Sequence, residues 1–481
     1  MIRGSIRALR GYTLLGRLPT HIRPISFKSG QPLFETRPHL IAEGDLTPGI
    51  SALEYFARRQ RILNEIPDGS ALIISGNRTQ FATDSVFYEF RQDPNFYYLT
   101  GFLEPGAALV LVKDPGTAGK SIFFVPESDA HKELWDGSRT GTKGAIEFFN
   151  ADEAHPVENM PKVMSQILRS VNRVYADFPG KERFPRYFQQ PTITSEPNLY
   201  NVLHDSSSSA TELVSAITLI ESHRLIKSEQ EIDCMRTASE ISAIVYNLAY
   251  QKKFATEHAL HAFLDYNMKI NGCELPAYLP VVAGGAHALT IHYTRNDDIL
   301  RNGELVLVDA GGRFGGYCAD ISRTWPVNGT FSGPQQDLYQ AVLNAQKQCI
   351  ELCTVSEGYT LADIHIRSIK YLQSELINAG FKDLTERQLL TLYPHYIGHN
   401  LGLDVHDITT ASRLDPLKAG QVITIEPGVY VPDSEEWPKH FRGIGIRIED
   451  NVVIGRDSYE VLTVDALKEI HDIEQMAELE L

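Results

Sequence analysis

The sequence has few cysteines and no long apolar run, and each shortage excludes a class of protein. The five cysteines among 481 residues include no Cys-x-x-Cys pair, which argues against a disulfide framework and a structural zinc site. The densest apolar run, residues 107–112, is far shorter than the about 20 residues that a membrane-spanning helix needs. We therefore predict a protein of a reducing compartment without a transmembrane segment.

Positive charge is also scarce. Lys and Arg number 45 against 61 Asp and Glu, for a formal net charge of −16. Because binding to a polyphosphate depends on clustered Lys and Arg, this balance argues against DNA or RNA as a partner. The 43% apolar and 22% charged residues are typical of a folded protein, and the length indicates two or three domains.

The first 34 residues lack acidic residues altogether. They carry six basic residues, and the rest of the chain carries 39 basic and 61 acidic residues, a balance of −22. Arg3, Arg7 and Arg10 fall on one helical face beside an apolar face, as in mitochondrial transit peptides. The alternative is a disordered basic tail, but such tails seldom combine this spacing with a complete absence of acids. We predict a transit peptide at residues 1–40 and exclude it from the fold.

Beyond this segment, the sequence predicts two domains that both mix helices and strands. Residues 50–222 alternate helical stretches with short apolar runs, in the manner of an α/β layer. The sequence Ser-Glu-Gln-Glu at residues 228–231 is typical of a capping box that opens a long helix, which places a domain boundary near residue 222. The second domain, residues 223–475, is predicted to hold further helices at residues 335–353 and 361–379.

Four acidic residues stand in otherwise apolar, alternating segments of the second domain. They are Asp309 in residues 305–309, Asp320 in 317–322, Glu426 in 422–426 and Glu449 in 444–449. A single acid in a strand usually faces solvent. Four carboxylates grouped in an apolar sheet would repel one another and be driven towards protonation, unless cations neutralised them. The set therefore indicates a dinuclear metal site, and the glycines between the first two acids allow a hairpin that brings them together.

Three neighbouring histidines, His395, His399 and His406, supply the candidate imidazole ligand. They differ from the metzincin zinc motif, because Tyr396 stands where that motif has its Glu. The third histidine also lies eleven residues after the first, whereas the motif requires about ten. Oxygen-rich ligands with a single imidazole favour manganese, cobalt or iron over a thiolate zinc site.

These residues resemble the metal ligands of the pita-bread metallopeptidases, most closely those of aminopeptidase P. The similarity lies in VDAGGRFGGYCADISRTWPVNG, HYIGHNLGLDVHD, TIEPGVY and GIGIRIED. It extends to IHYTRND around His292, to residues 224–228 and 91–111, and it covers most of residues 50–465. The transit peptide and residues 36–49 are similar to the mitochondrial, intermediate-cleaving branch of this family.

The resemblance implies an α/β fold, with an N-terminal creatinase-like domain followed by a C-terminal pita-bread catalytic domain. It also implies two divalent metals, with Mn²⁺ expected. The implied metal ligands are Asp309, Asp320, His399, Glu426 and Glu449, with Asp320 and Glu449 bridging the two ions. Glu426 would also transfer a proton, His292 and His406 would hold the scissile carbonyl, and His395, Arg447 and Arg224 would face the substrate.

The implied activity is removal of one N-terminal residue from imported proteins after their presequence has been cut. The expected location is the mitochondrial matrix or the matrix face of the inner membrane, and the expected assembly is a homo-oligomer, a dimer. The alternative activity is that of a strict Xaa-Pro aminopeptidase or Xaa-Pro dipeptidase. A non-catalytic pita-bread binding module is a more distant alternative, because such modules lack the ligand set that is complete here.

Overall fold

The computed structural model describes residues 29–177 and 211–479. The chain divides into two compact units, Met1–His223 and Arg224–Leu481. Most of the predicted transit peptide, residues 1–28, lies outside the described residues. Residues 29–40 also fall within the predicted transit peptide, but they are described and form part of the first unit, where Leu33 is buried.

A six-stranded mixed sheet forms the centre of the first unit. In chain order the unit contains β1 (Asp45–Thr47), β2 (Ile50–Ser51), α1 (Ala52–Glu65), β3 (Ser70–Ser75), α2 (Pro94–Thr100), β4 (Ala108–Lys113), β5 (Lys120–Val125), α3 (Ala130–Asp136), α4 (Gly141–Glu147), β6 (Glu153–Pro156), α5 (Met160–Ser170), β7 (Arg173–Tyr175), β8 (Glu212–Val214) and α6 (Ala216–Arg224). The sheet order is β6-β5-β4-β3-β7-β8. Met164 and Leu168, four residues apart on α5, pack with Val110 and Phe124 of the central strands, which gives this helix its buried face.

The second unit combines short antiparallel sheets with long helices. It contains α7 (Glu229–Tyr250), α8 (Glu257–Ile270), β9 (Leu275–Pro276), β10 (Val281–Gly284), β11 (Leu305–Asp309), β12 (Gly312–Phe314), β13 (Tyr317–Cys318), β14 (Ser322–Pro326), α9 (Gly333–Ile350), α10 (Leu361–Ala379), α11 (Glu386–Leu392), β15 (Val422–Ile425), β16 (Gly428–Tyr430), β17 (Gly445–Arg447), β18 (Asp450–Ile454), β19 (Tyr459–Val461) and α12 (Ile470–Glu478). Its sheets have the orders β10-β11-β14, β13-β12-β9, β15-β18-β19 and β16-β17.

The helix signals of the sequence correspond closely to the helices of the second unit. Ser228 and Glu231 form a reciprocal capping box at the start of α7, as predicted. Helix α10 has its predicted bounds and ends at Gly380, whose φ of 119° suits a residue without a Cβ. Helix α9 begins two residues earlier than predicted, because Ser332 is its N-cap and Gln335 is the third residue of its capping box.

The alternating pattern predicts that the four acids lie within strands, but the structure places one at the end of a strand and the other three just beyond strand ends. Asp309 is the last residue of β11, and Glu426 follows the end of β15. Asp320 lies between β13 and β14, and Glu449 lies between β17 and β18. A strand end leaves the backbone free to turn, so each carboxylate can leave the face of its sheet.

The sequence predicts no disulfide framework and no transmembrane segment, and both predictions can be compared with the described residues. All five cysteines are buried and free of disulfide bonds. Between residues 29 and 177 and between 211 and 479, no helix has the length and apolar character needed to cross a bilayer.

Candidate metal and active site

The hairpin from β11 to β14 brings Asp309 and Asp320 together. In the ladder of these strands Asp309 lies opposite Ser322, two residues after Asp320. A Cβ on Gly311 would lie 1.9 Å from the Ala319 carbonyl oxygen, so this close approach of the two segments requires glycine. The Tyr278 hydroxyl lies within hydrogen-bonding distance of one oxygen of each carboxylate, so its single proton is shared between Asp309 and Asp320.

Glu449 joins these two aspartates through Ser322. The backbone N–H of Glu449 donates to the Ser322 carbonyl at 3.0 Å, and the Ser322 hydroxyl donates to Glu449 Oε2 at 2.7 Å. The side chain of Glu449 is buried. Burial, together with the charges of Asp320 and the other nearby carboxylates, raises its pKa well above the ordinary value.

His399 lies between Asp320 and Glu426. Its Nε2 is 3.4 Å from Asp320 Oδ2 and 3.5 Å from Glu426 Oε1. Its Nδ1 lies 3.0 Å from the Asn400 carbonyl, and a proton on Nδ1 leaves Nε2 free to act as a ligand. Gly398 permits this placement, because a Cβ there would meet the Thr424 carbonyl oxygen at 1.9 Å.

The pKa values of the carboxylates are shifted because these groups are buried close together. Burial raises the pKa of Asp309 and that of Glu426, the latter to about 7. Burial would also raise the pKa of Asp320, but the hydrogen bond and charge of His399 lower it below the ordinary value. Divalent cations would offset the repulsion that disfavours the ionised carboxylates.

The donor set fits divalent cations. Ligand atoms of Asp320, His399 and Glu449 all lie within 4.8 Å of one another, and Asp309 and Glu426 adjoin this group through Tyr278 and His399. Carboxylate oxygens with a single imidazole are the ligands expected for manganese, cobalt or iron. The structure thus brings together all five residues that the sequence predicts as ligands.

Arg447, predicted on the substrate side, lies buried behind Asp309. Its Nη2 donates to Asp309 Oδ2 at 2.7 Å, its Nε to the Ser322 hydroxyl at 2.8 Å and its Nη1 to the Tyr430 hydroxyl at 2.8 Å. All three nitrogens of the guanidinium are thus engaged by protein groups. This placement orients Asp309 and Ser322.

Arg224, also predicted on the substrate side, lies in a buried ion-pair cluster. It pairs with Asp407, and its Nη2 is 3.2 Å from Asp404 Oδ2. Lys227 Nζ lies 3.2 Å from the other oxygen of Asp407. These cations hold Asp407, the residue that follows His406.

Three further histidines surround the carboxylate cluster. The ring of His406 is exposed and lies 4.4 Å from that of His399. His395 Nε2 is 2.9 Å from the Tyr430 hydroxyl, and burial with the charge of Arg447 lowers its pKa to about 3. Burial is the largest cause that lowers the pKa of His395 and that of His406, and His292 adds a smaller electrostatic contribution to both, which places it in their neighbourhood. The structure therefore assembles every histidine predicted for the site.

Sequence reasoning missed Tyr278 and Asn451, which hold Asp320 in place. Tyr278 bonds its carboxylate, and Asn451 Oδ1 accepts from the Asp320 backbone N–H at 3.0 Å while its amide donates to the Asp320 carbonyl. Asn451 follows Glu449 by two residues, in the GIGIRIED segment and its continuation, so its proximity to a predicted ligand was a usable signal. Tyr278 lies outside the segments that resemble aminopeptidase P, so no pattern in the sequence marked it.

Sequence reasoning also missed Glu257, which anchors the segment that carries His292. Its buried carboxylate accepts from the Gly284 and Asp298 backbone N–H groups at 2.9 Å and from the Tyr293 hydroxyl at 2.8 Å. It also lies 2.9 Å from His287 Nδ1. In the sequence, Glu257 is indistinguishable from an ordinary acid in the first turn of a helix.

A buried ion pair supports the backbone beside Glu449. Arg323 Nη2 lies 2.7 Å from Asp450 Oδ1, and both side chains are fully buried. The Nη1 of Arg323 donates to the carbonyls of Ser322 and Glu449. Lys468 also pairs with Asp450. These cations lower the pKa of Asp450 far below the ordinary value, despite the opposing effect of burial.

Replacement of Asp450 by Asn is expected to destabilise the protein by about 3–5 kcal/mol, because it leaves the buried Arg323 without its charged partner. Denaturant unfolding of the purified protein measures the difference. Asp457→Asn, at an exposed position, is the matched control and should change stability by less than about 0.5 kcal/mol. Equal stability of the two variants would contradict the assignment of the ion pair as structural.

Comparison with known proteins identifies both parts of the chain. Residues 233–456 match the model of metallopeptidase family M24. Residues 55–175 match the model of the aminopeptidase P N-terminal domain. The two matches follow each other in the order that the sequence resemblance implies.

Individual relatives are similar along nearly their whole length. The chain is 46% identical to intermediate cleaving peptidase 55 of Saccharomyces cerevisiae, over 94% of this chain and 89% of that protein. It is 38% identical to the mitochondrial intermediate cleaving peptidase 55 of Arabidopsis thaliana, over 93% and 87%, and 36% identical to human Xaa-Pro aminopeptidase 3, over 98% and 96%. A crystal structure of the Saccharomyces cerevisiae protein matches with a TM-score of 0.83 at 44% identity, covering 91% of this chain and all of that chain.

These similarities confirm the predicted fold class, the predicted enzyme class and the predicted mitochondrial location. The chain belongs to the M24 metallopeptidases, within the aminopeptidase P family that includes the intermediate cleaving peptidases, and is a metal-dependent aminopeptidase.

Proposed function

We propose that this enzyme removes a single N-terminal residue from imported proteins, after their presequences have been cut, in the mitochondrial matrix or on the matrix face of the inner membrane. The observation that carries the proposal is the 46% identity, along most of both chains, to an intermediate cleaving peptidase. The carboxylate cluster with its three surrounding histidines supplies the groups that hydrolysis of a peptide bond requires.

Two divalent metals, Mn²⁺ by preference, are proposed as the cofactor. Asp320 and Glu449 are the proposed shared ligands, with Asp309 completing one side and His399 and Glu426 the other. The choice of Mn²⁺ is supported by the predominance of oxygen ligands. Bound there, the metal pair supplies the Lewis acidity that makes water a nucleophile near neutral pH.

The chain's own residues then move the proton and hold the peptide. Glu426, whose pKa burial raises to about 7, is the proposed carrier of the proton from the attacking water to the leaving amine. His406 and His292 are the proposed donors to the carbonyl oxygen of the scissile bond, where negative charge develops. Their position beside His399 supports this role.

His395 is the proposed contact on the substrate side, next to Tyr430. Arg447 and Arg224 contribute to substrate binding indirectly in this proposal. Arg447 orients Asp309, and Arg224 holds the turn that presents His406. Both act through the ion pairs that bury them.

The proposal extends to the organisation of the whole chain. Residues 50–222 are proposed as the creatinase-like domain and residues 223–475 as the pita-bread domain. The division of the chain into two compact units near residue 223 supports this assignment.

A homo-oligomer, a dimer, is the proposed assembly. Sedimentation of the purified enzyme tests that part, and a monomer at working concentration would contradict it.

A strict Xaa-Pro specificity is the second candidate function. The 36% identity to human Xaa-Pro aminopeptidase 3 favours it. The two candidates differ in whether proline must occupy the second position of the peptide, so a direct assay of peptides separates them.

We expect release of one residue from unblocked peptides that begin with a bulky apolar or aromatic residue, whether or not proline follows. No release is expected from the acetylated versions, because the site is proposed to require a free amine. A panel that varies the first two residues, read by mass spectrometry, measures both effects. In mitochondria that lack the enzyme, the mature N-termini of its substrates should be longer by one residue. Cleavage confined to peptides with proline second, with unchanged mitochondrial N-termini, would replace this proposal by the Xaa-Pro alternative.

A further inference from the structure

Residues 29–41 form a segment, here called the N-terminal strap, that is built into the first unit. It begins with a bend at Gly30 and Gln31 and continues through a turn in which Thr36 N–H and Arg37 N–H both donate to the Leu33 carbonyl, at 3.0 and 2.7 Å. Leu33 and Ile41, near the two ends of this turn, are 3% and 2% exposed. Burial of this kind is typical of a folded domain and unlike a cleaved targeting segment.

The strap is attached by a buried carboxylate. Glu104 is 7% exposed, and its Oε1 accepts the backbone N–H of Gly30 at 3.0 Å. The same carboxylate accepts the backbone N–H of Thr140 at 3.0 Å and its hydroxyl. Ser29 Oγ lies 3.2 Å from that hydroxyl. Without the strap, this buried acid would lose the Gly30 donor.

Gln31 makes the second attachment. Gln31 is 5% exposed. Its Nε2 donates to the Gly101 carbonyl at 3.0 Å, and its Oε1 accepts the Leu103 N–H at 2.7 Å. Both are backbone groups of the turn that follows α2, so removal of Gln31 would leave a buried donor and a buried acceptor unsatisfied.

We propose that proteolytic processing of this chain on import cuts no later than the bond before Gly30, so that the attached part of the N-terminal strap, residues 30–41, remains in the mature enzyme. A cut near residue 40, which the sequence pattern predicts, would remove Gln31 and Leu33 from a folded domain. The acid-free stretch ends at Phe34, and a cut between Lys28 and Gly30 still removes all six basic residues of that stretch. The processing site is thereby limited to the bonds preceding Gly30.

N-terminal sequencing of the mature enzyme tests the limit. The full precursor is imported into isolated mitochondria, and the processed form is purified and its first residue identified by mass spectrometry. A first residue at Gly30 or earlier is the expected result. A mature form that begins at Gln31 or later would overturn the proposal.

Thermal unfolding of purified variants tests the structural role of the strap without an import assay. In the full chain, Gln31→Ala should lower the midpoint of thermal unfolding by at least about 4 °C, because two buried backbone groups lose their partners. Arg37→Ala is the matched control within the strap, since the Arg37 side chain is exposed and bonds the Thr36 carbonyl of its own turn. Equal midpoints for the two variants would overturn the structural role assigned to the strap.

Discussion

Replacement of Glu449 by Gln is expected to abolish metal binding and peptidase activity together. Glu449 is 1% exposed and is the proposed shared ligand of two cations. Loss of a residue that hydrogen-bonds to a metal ligand typically lowers metal affinity by about 10- to 100-fold. Loss of a shared anionic ligand should therefore lower metal affinity by more than about 100-fold. Metal content after dialysis, measured by atomic emission, and hydrolysis of an unblocked peptide provide the two readouts.

The metal-free form of Glu449→Gln should be at least as stable as the metal-free parent. The folded state raises the pKa of Glu449, so its ionised form opposes folding at neutral pH, and a neutral amide removes that opposition. This distinguishes loss of a ligand from loss of the fold. Glu435→Gln, an exposed position in the same unit, is the control and should retain metal and activity. Retention of both metals by Glu449→Gln would refute the proposed ligand set.

Replacement of His406 by Ala is expected to lower kcat by about 10² to 10³ while leaving the metal content unchanged. Loss of a single donor to a developing oxyanion typically has an effect of this size. His406 is exposed beside His399, with ring centroids 4.4 Å apart. Partial loss of water around the ring, followed by the charge of His399, lowers the pKa of His406 below its ordinary value, so near neutral pH the ring is a neutral N–H donor.

The control for this variant is His471→Ala, at an exposed position of the same unit. It should leave kcat, KM and metal content as in the parent enzyme. A His406→Ala enzyme that loses its metals would show that His406 is a ligand. Unchanged turnover with metals bound would show that the carbonyl is held by other groups.

Much of the chemistry was readable from the sequence because each ligand stands in a local pattern. Asp309, Asp320, Glu426 and Glu449 are acids in apolar surroundings, where a charge without a partner is costly. His399 was one of three candidate imidazoles, and the family resemblance distinguished it from the others. Helix starts such as that at Ser228 were readable for the same reason, since a capping box involves residues only three apart.

Tertiary structure decided how these residues are held. Arg447 reaches Asp309 across 138 positions of the chain, and Ser322 reaches Glu449 across 127. Whether Arg447 faces a substrate or an internal carboxylate depends on which strands lie side by side, and no local pattern specifies that. The same holds for Gln31, whose partners at Gly101 and Leu103 are about 70 positions away. A basic, acid-free sequence predicts a segment that is cleaved off, but it does not specify where that segment ends. The start of the folded domain is determined by the residues that become buried against a distant turn.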